Sequence, residues 1–147
     1  MEGAGAEERA LGQGAAVADF AMEPVPAIAL SGEVCGVRAR MMLDSGAGVS
    51  YVNPAFVGQH AALTRTKGQK RRGVTTTGES VVFEEYVVGD VTAGELVFAA
   101  ALALLPTPLG YDVVIGRDLM KEHHWIVCHR TGRVLARGRV VVDGSAK

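Results

Sequence analysis

The sequence predicts an all-β fold. Three observations carry the prediction: 21 valines and 19 glycines among 147 residues, short apolar stretches that alternate with period two, and turn-forming residues between them. The length fits one domain with a modest core. Fifteen basic against 16 acidic residues leave a formal charge of −1, so nothing global draws the chain to nucleic acid or acidic lipid. The longest apolar run, Leu96 to Leu105, is about half of the ~18 residues a membrane-spanning helix needs, and no membrane partner is expected. Cys35 and Cys128 are too few for a disulfide framework or a paired-cysteine metal site, which predicts a reducing, cytoplasmic setting.

Residues 1–23 are rich in Ala, Gly and Glu without apolar periodicity. They lack the basic start and apolar block of a signal peptide and read as a flexible lead-in. The folded domain is expected over 24–142, with a short tail over 143–147. Ala27 to Val34 alternates loosely, Cys35-Gly36 makes a tight turn, and Val37-Arg38-Ala39-Arg40-Met41 alternates strictly before the apolar Met42-Leu43. That pattern is a hairpin whose second arm enters the core. Asp44-Ser45-Gly46-Ala47-Gly48 follows, a carboxylate at the end of an apolar strand with two glycines that permit a sharp chain path. Val49 to Val52 reads as a short strand that Asn53-Pro54 breaks.

Five of the eight residues from Arg65 to Arg72 are basic, which reads as a solvated loop. A nucleic-acid patch is the lesser reading, because no aromatic side chains interleave to stack on bases. Val74-Thr75-Thr76-Thr77-Gly78-Glu79-Ser80-Val81-Val82-Phe83 gives two β-prone arms around a polar, Gly-bearing tip. Strands over 81–88 and 95–105 are expected next, separated by Thr92-Ala93-Gly94. Tyr111 to Gly116 is a short apolar run of the kind buried on both faces. Arg117 to His123 reads as a two-turn helix, the single convincing one, and Trp125 to Cys128 and Arg133 to Val142 return to strand.

Asp44-Ser45-Gly46-Ala47, the hairpin with Gly78 at its tip, and Val113-Val114-Ile115-Gly116-Arg117-Asp118 opening a short helix resemble, in that order, the aspartic proteases of retroviruses and retrotransposons. The segment from Gly116 to Val134 is more similar to Ty3/gypsy elements, or to a host gene domesticated from one, than to lentiviral enzymes. The resemblance implies a small closed barrel of the retropepsin type, with a flap hairpin and one short helix, working as a homodimer. It implies Asp44, Ser45 and Gly46 as the catalytic loop, and Ala47, Gly48, Thr76, Thr77, Gly78 and Ile115 as substrate contacts. Gly116, Arg117 and Asp118 take structural roles. Several relatives carry an aspartate four residues after the catalytic one, where it pairs with the arginine of this segment. Here that position is Gly48, which leaves the partner of Arg117 open.

Carboxylate-driven peptide hydrolysis needs two carboxyl groups sharing one proton. The chain has one Asp-Ser-Gly and about half the length of a two-lobed aspartic protease, so a two-fold axis joining two copies of Asp44 is the simplest solution. Ser45 lies in no nucleophile elbow. His123, His124, Cys128 and His129 do not follow a zinc spacing, and Gly46-Ala47-Gly48 is not a dinucleotide fingerprint. The sequence thus points to an aspartic endopeptidase without metal or organic cofactor, acting on an extended peptide or polyprotein. The alternative is a catalytically silent dimerisation or binding module of the same fold.

Overall fold

The computed structural model describes residues 28–74, 78–128 and 130–143. The expected lead-in over 1–23 lies outside them. Strands β1 (Ile28–Val34) and β2 (Val37–Leu43) form the first hairpin, in register from Ile28 opposite Leu43 to Val34 opposite Val37. Cys35 and Gly36 both take positive φ, 50° and 81°, the pair of left-handed residues that a two-residue hairpin turn requires. On β2 the alternation holds as expected: Ala39, Met41 and Leu43 are buried, Arg38 and Arg40 exposed.

After the loop that carries Asp44 come β3 (Tyr51–Val52) and a helix, α1 (Pro54–Gly58). This helix is the first departure from the sequence reading, which placed only a break at Asn53-Pro54. The same residues that end the strand start the helix. Asn53 accepts from the Ala55 N–H through its side chain at 3.0 Å, and Pro54 occupies the first turn, where its missing N–H costs nothing.

The second departure is β4 (Arg65–Val74). The basic segment expected as a loop is the first arm of a long hairpin with β5 (Ser80–Ala93), so the hairpin reaches well behind Val74. Its register slips between Lys67 and Arg71, a bulge wrapped over Tyr86, whose hydroxyl donates to the Gln69 carbonyl at 2.7 Å. Strand β6 (Leu96–Leu104) pairs with β5 along its length; the turn sits at Gly94-Glu95, and Thr92 and Ala93 belong to the strand.

Strand β7 (Val113–Ile115) is fully buried, as its unbroken apolar run predicts. It lies between β2, to which it is parallel, and β3, to which it is antiparallel. Helix α2 (Arg117–Glu122) follows directly. The large sheet has the order β1-β2-β7-β3-β6-β5-β4, and β1 also pairs with β5, so the pairings return from β5 to β1. Strands β8 (Trp125–Cys128), β9 (Arg133–Ala136) and β10 (Arg139–Val142) make a second, three-stranded antiparallel sheet. It is tied to the first where the Glu95 N–H donates to the Val140 carbonyl at 2.9 Å.

Two apolar clusters form the core. The larger gathers Met41, Leu43, Val87, Val91, Leu102, Val113 and Ile115 among others, each such side chain contributing about 1.5–3 kcal/mol by leaving water. The smaller joins Ala47, Val49 and Tyr51 to Phe83, Tyr86, Ala103 and Leu105. It therefore cements the Asp44 loop to the base of the β4–β5 hairpin. No helix among the described residues is long and apolar enough to cross a membrane.

Candidate active site

Asp44 follows the last residue of β2, and its N–H donates to the Ile115 carbonyl at 2.9 Å. The end of β7 thus holds the backbone of the carboxylate. One residue pair closes the loop: the Ala47 N–H donates to the Asp44 carbonyl at 3.1 Å. The Gly46 N–H donates to Asp44 Oδ1 at 2.8 Å, which fixes the carboxylate plane with a charge-assisted bond. Ser45 and Gly46 are exposed, Asp44 and Gly48 half-buried, and Ala47 is buried beneath them. The loop is thereby at or near the surface while the turn that carries it is rooted in the smaller cluster.

Beneath the loop lies a polar clamp. Ser50 is fully buried; its hydroxyl donates to Asp118 Oδ1 at 2.6 Å and accepts from the Gly116 N–H at 2.8 Å. The Ser50 N–H donates to Asp118 Oδ2 at 3.1 Å, and the Leu119 N–H to Asp118 Oδ1 at 2.8 Å. Gly116 is required there by close approach: a Cβ on it would stand 2.7 Å from the Ala47 carbonyl oxygen and 2.8 Å from that of Val49. Gly116 and Asp118 meet here on Ser50, a third member that the sequence reading passed over. Its signal was a lone hydroxyl inside an apolar stretch, since a buried polar group demands a partner.

Arg117 has a partner of a different kind from the one in relatives with a second aspartate. Its Nη1 donates to the Ser45 carbonyl at 2.8 Å, so the guanidinium props the loop through backbone instead of pairing with a carboxylate. A Cβ on Gly48 would lie 3.2 Å from Nη2, so the arginine lies close over the position where the aspartate would stand. The Arg117 N–H also donates to the Ala47 carbonyl at 2.8 Å.

The hairpin expected as a flap has Gly78 in its turn with φ of 83°, while Thr76 and Thr77 lie outside the described residues. Its base rests on the loop: a Cβ on Gly73 would meet Val49 Cγ1 at 2.8 Å and Phe83 Cε1 at 3.0 Å. Ile115 meets the site through its carbonyl, and its side chain is fully buried in the larger cluster.

The model of a family described as aspartyl protease matches residues 30–119, which include the Asp44 loop, the hairpin and the start of α2. The chain belongs to the aspartyl protease family. The retropepsin-like reading of the sequence is thus upheld. This aspartyl protease chain is similar in fold to the retroviral protease-like domain of Ddi1 from Leishmania major, with a TM-score of 0.56 and 16% identity over 80% of this chain and 94% of that one. EIAV protease in complex with the inhibitor HBY-793 is also similar, with a TM-score of 0.46 and 16% identity over 70% and 91% of the two chains. A Legionella pneumophila protein of unknown function aligns with a TM-score of 0.42 and 16% identity over 66% and 86%. No curated protein matches the sequence.

The thiols of this family member lie outside the loop. Cys128 is exposed at the end of β8, and hydrogen bonding from Thr131 holds its thiol below the usual cysteine range; Cys35 is half-buried. Thiolate fraction and access both favour reaction at Cys128. Iodoacetamide near neutral pH is expected to label Cys128 first, by peptide mapping, without changing any hydrolytic activity.

Proposed function

We propose that the chain is an aspartic endopeptidase that acts as a homodimer, with one Asp44 from each protomer forming the dyad. The observation that carries this reading is a single carboxylate at the end of β2, tied by its N–H to the buried strand β7 and held in plane by the Gly46 N–H, under a hairpin seated on the same loop. One chain supplies one such carboxylate, and the reaction needs two.

In the dyad, like charges in close contact cannot both ionise, so one carboxyl keeps a proton and the apparent pKa values belong to the pair. The ionised Asp44 takes a proton from water, whose oxygen attacks the scissile carbonyl carbon. The protonated Asp44 of the other protomer gives its proton to the carbonyl oxygen. Collapse of the tetrahedral intermediate returns that proton and breaks the C–N bond as the leaving nitrogen is protonated. The β4–β5 hairpin serves as a flap that closes over an extended polypeptide and excludes water. Gly48 offers backbone groups to that polypeptide, whereas the N–H and carbonyl of the buried Ala47 are already bonded to the Asp44 carbonyl and the Arg117 N–H; by resemblance the natural substrate is a polyprotein.

The test is cleavage of a diverse peptide mixture from pH 4 to pH 7, read by mass spectrometry, at a series of chain concentrations. Specific activity is expected to fall as the chain is diluted through the dimer dissociation range and to recover on concentration. Specific activity independent of dilution, in a chain that sediments as a monomer, would overturn the shared dyad. A well-folded dimer that cleaves nothing across this range would be the silent module instead.

A further inference from the structure

We propose that the outer edge of β4 binds an extended acidic segment of polypeptide, adding it as a further strand. Three features point there. First, β4 ends the large sheet, so one of its edges offers backbone N–H and C=O groups with no strand beside them among the described residues. Second, Arg65, Lys67, Lys70, Arg71 and Arg72 are all exposed in a chain whose formal charge is −1. Arg65 is spent on Glu85, at 3.7 Å, and Lys67 stands across the ladder from the same glutamate. Lys70, Arg71 and Arg72 have no ion-pair partner among the described residues. Third, these three lead directly into Gly73, where a Cβ would meet Val49 Cγ1 at 2.8 Å, so a polypeptide laid along β4 runs toward the segment that follows the Asp44 loop.

The composition of the strand selects among partners. No aromatic residue occurs between Arg65 and Val74, so the stacking that single-stranded nucleic acid gains on aromatic rings is missing. Arg72 stands opposite Val82, which is 54% exposed, and Val74, two residues on, is 40% exposed, so that face offers apolar contacts while Arg71 offers its charge on the other. The partner that fits alternates acidic and apolar residues. A recess of about 270 Å³ beside the strand, lined by Lys70, Val82, Phe83, Glu84, Glu85 and Leu104, contains two carboxylates. The partner's acidic residues are therefore assigned to the half of β4 at Arg71 and Arg72.

The inference rests on the endopeptidase reading only in making that segment part of a substrate; the binding itself does not depend on catalysis. The test uses the full chain carrying Asp44→Asn, with fluorescent decapeptides alternating Glu and Val, Gln and Val, or Lys and Val, followed by anisotropy and by hydrogen exchange. The Glu peptide is expected to bind at least about tenfold tighter than the Gln peptide at low salt, with the advantage shrinking as salt screens it. Arg71→Gln with Arg72→Gln, which removes charge with little change of shape, is expected to erase that preference, and bound peptide is expected to slow exchange in β4. Equal affinity for the Glu and Gln peptides would overturn the proposal, leaving the charges as guards against edge-to-edge aggregation. So would unaltered exchange in β4, or tighter binding of an oligothymidine that the same double variant abolishes. If the parent chain cleaves nothing while the Asp44→Asn chain binds as expected, the endopeptidase reading fails and this one stands.

Discussion

Asp44→Asn is expected to lower peptide hydrolysis by about 10⁴-fold or more, the scale of a lost general base and acid together, while the fold and the dimer persist. The reason is local. An asparagine side-chain oxygen still accepts from the Gly46 N–H, which now sits 2.8 Å from Oδ1, and the Asp44 N–H bond to Ile115 involves backbone alone. What the amide cannot do is take a proton from water or share one across the two-fold axis. Rates on a cleaved peptide, set beside sedimentation and far-UV circular dichroism, check each part. Hydrolysis surviving in the Asp44→Asn chain would place the chemistry elsewhere.

Asp118→Ala is expected to cost about 3 kcal/mol of folding stability, because it strands buried donors that worth ~1–3 kcal/mol each when unpaired. The Ser50 N–H and hydroxyl both lose their acceptor; Ser50 is fully buried whereas Asp118 is exposed, so the loss falls on the Ser50 donors. Against a whole-domain stability of ~5–15 kcal/mol, this lowers the melting temperature by roughly 10 °C. Activity is expected to fall beyond what unfolding explains, since the clamp fixes the segment from Gly116 that holds the Asp44 loop. Asp118→Asn keeps one acceptor oxygen and should fall between the parent and the alanine variant. Denaturant unfolding at a fixed protein concentration measures all three, and an alanine variant within about 1 kcal/mol of the parent would deny the clamp its role.

The parts of this fold that were readable from the sequence are those where one face meets water and the other does not. Val37 to Met41 alternates because β2 does, and Val113 to Ile115 is unbroken because β7 is buried on both sides. The basic strand β4 escaped for the opposite reason: nearly every residue of an edge that projects past the core is exposed, so alternation has nothing to report. Helix α1 escaped because Asn-Pro ends a strand and caps a helix with the same chemistry. In the site, Asp44 to Gly48 and Gly116 to Asp118 were legible as a pattern of residue types. Ser50 and the true partner of Arg117 were not, because hydrogen bonds from Ser50 to Asp118 and from Arg117 to Ser45 join residues 68 and 72 positions apart, and one-dimensional spacing does not register such pairs.

The threading of β7 between β2 and β3 also sets a timetable. The polar groups that steady the Asp44 loop from the β7–α2 segment, among them the Ile115 carbonyl, the Gly116 N–H and the Asp118 carboxylate, are translated long after the carboxylate they serve. Ribosomes add ~5–20 residues per second, so the loop waits several seconds or more with neither its β7 ladder nor its clamp. Contacts so distant along the chain also make for slow closure, because chain entropy is lost before they form. An ordered Asp44 loop therefore arrives with the last third of the domain, and a nascent chain that has emerged only through the hairpin carries the Asp-Ser-Gly motif without the contacts that order it.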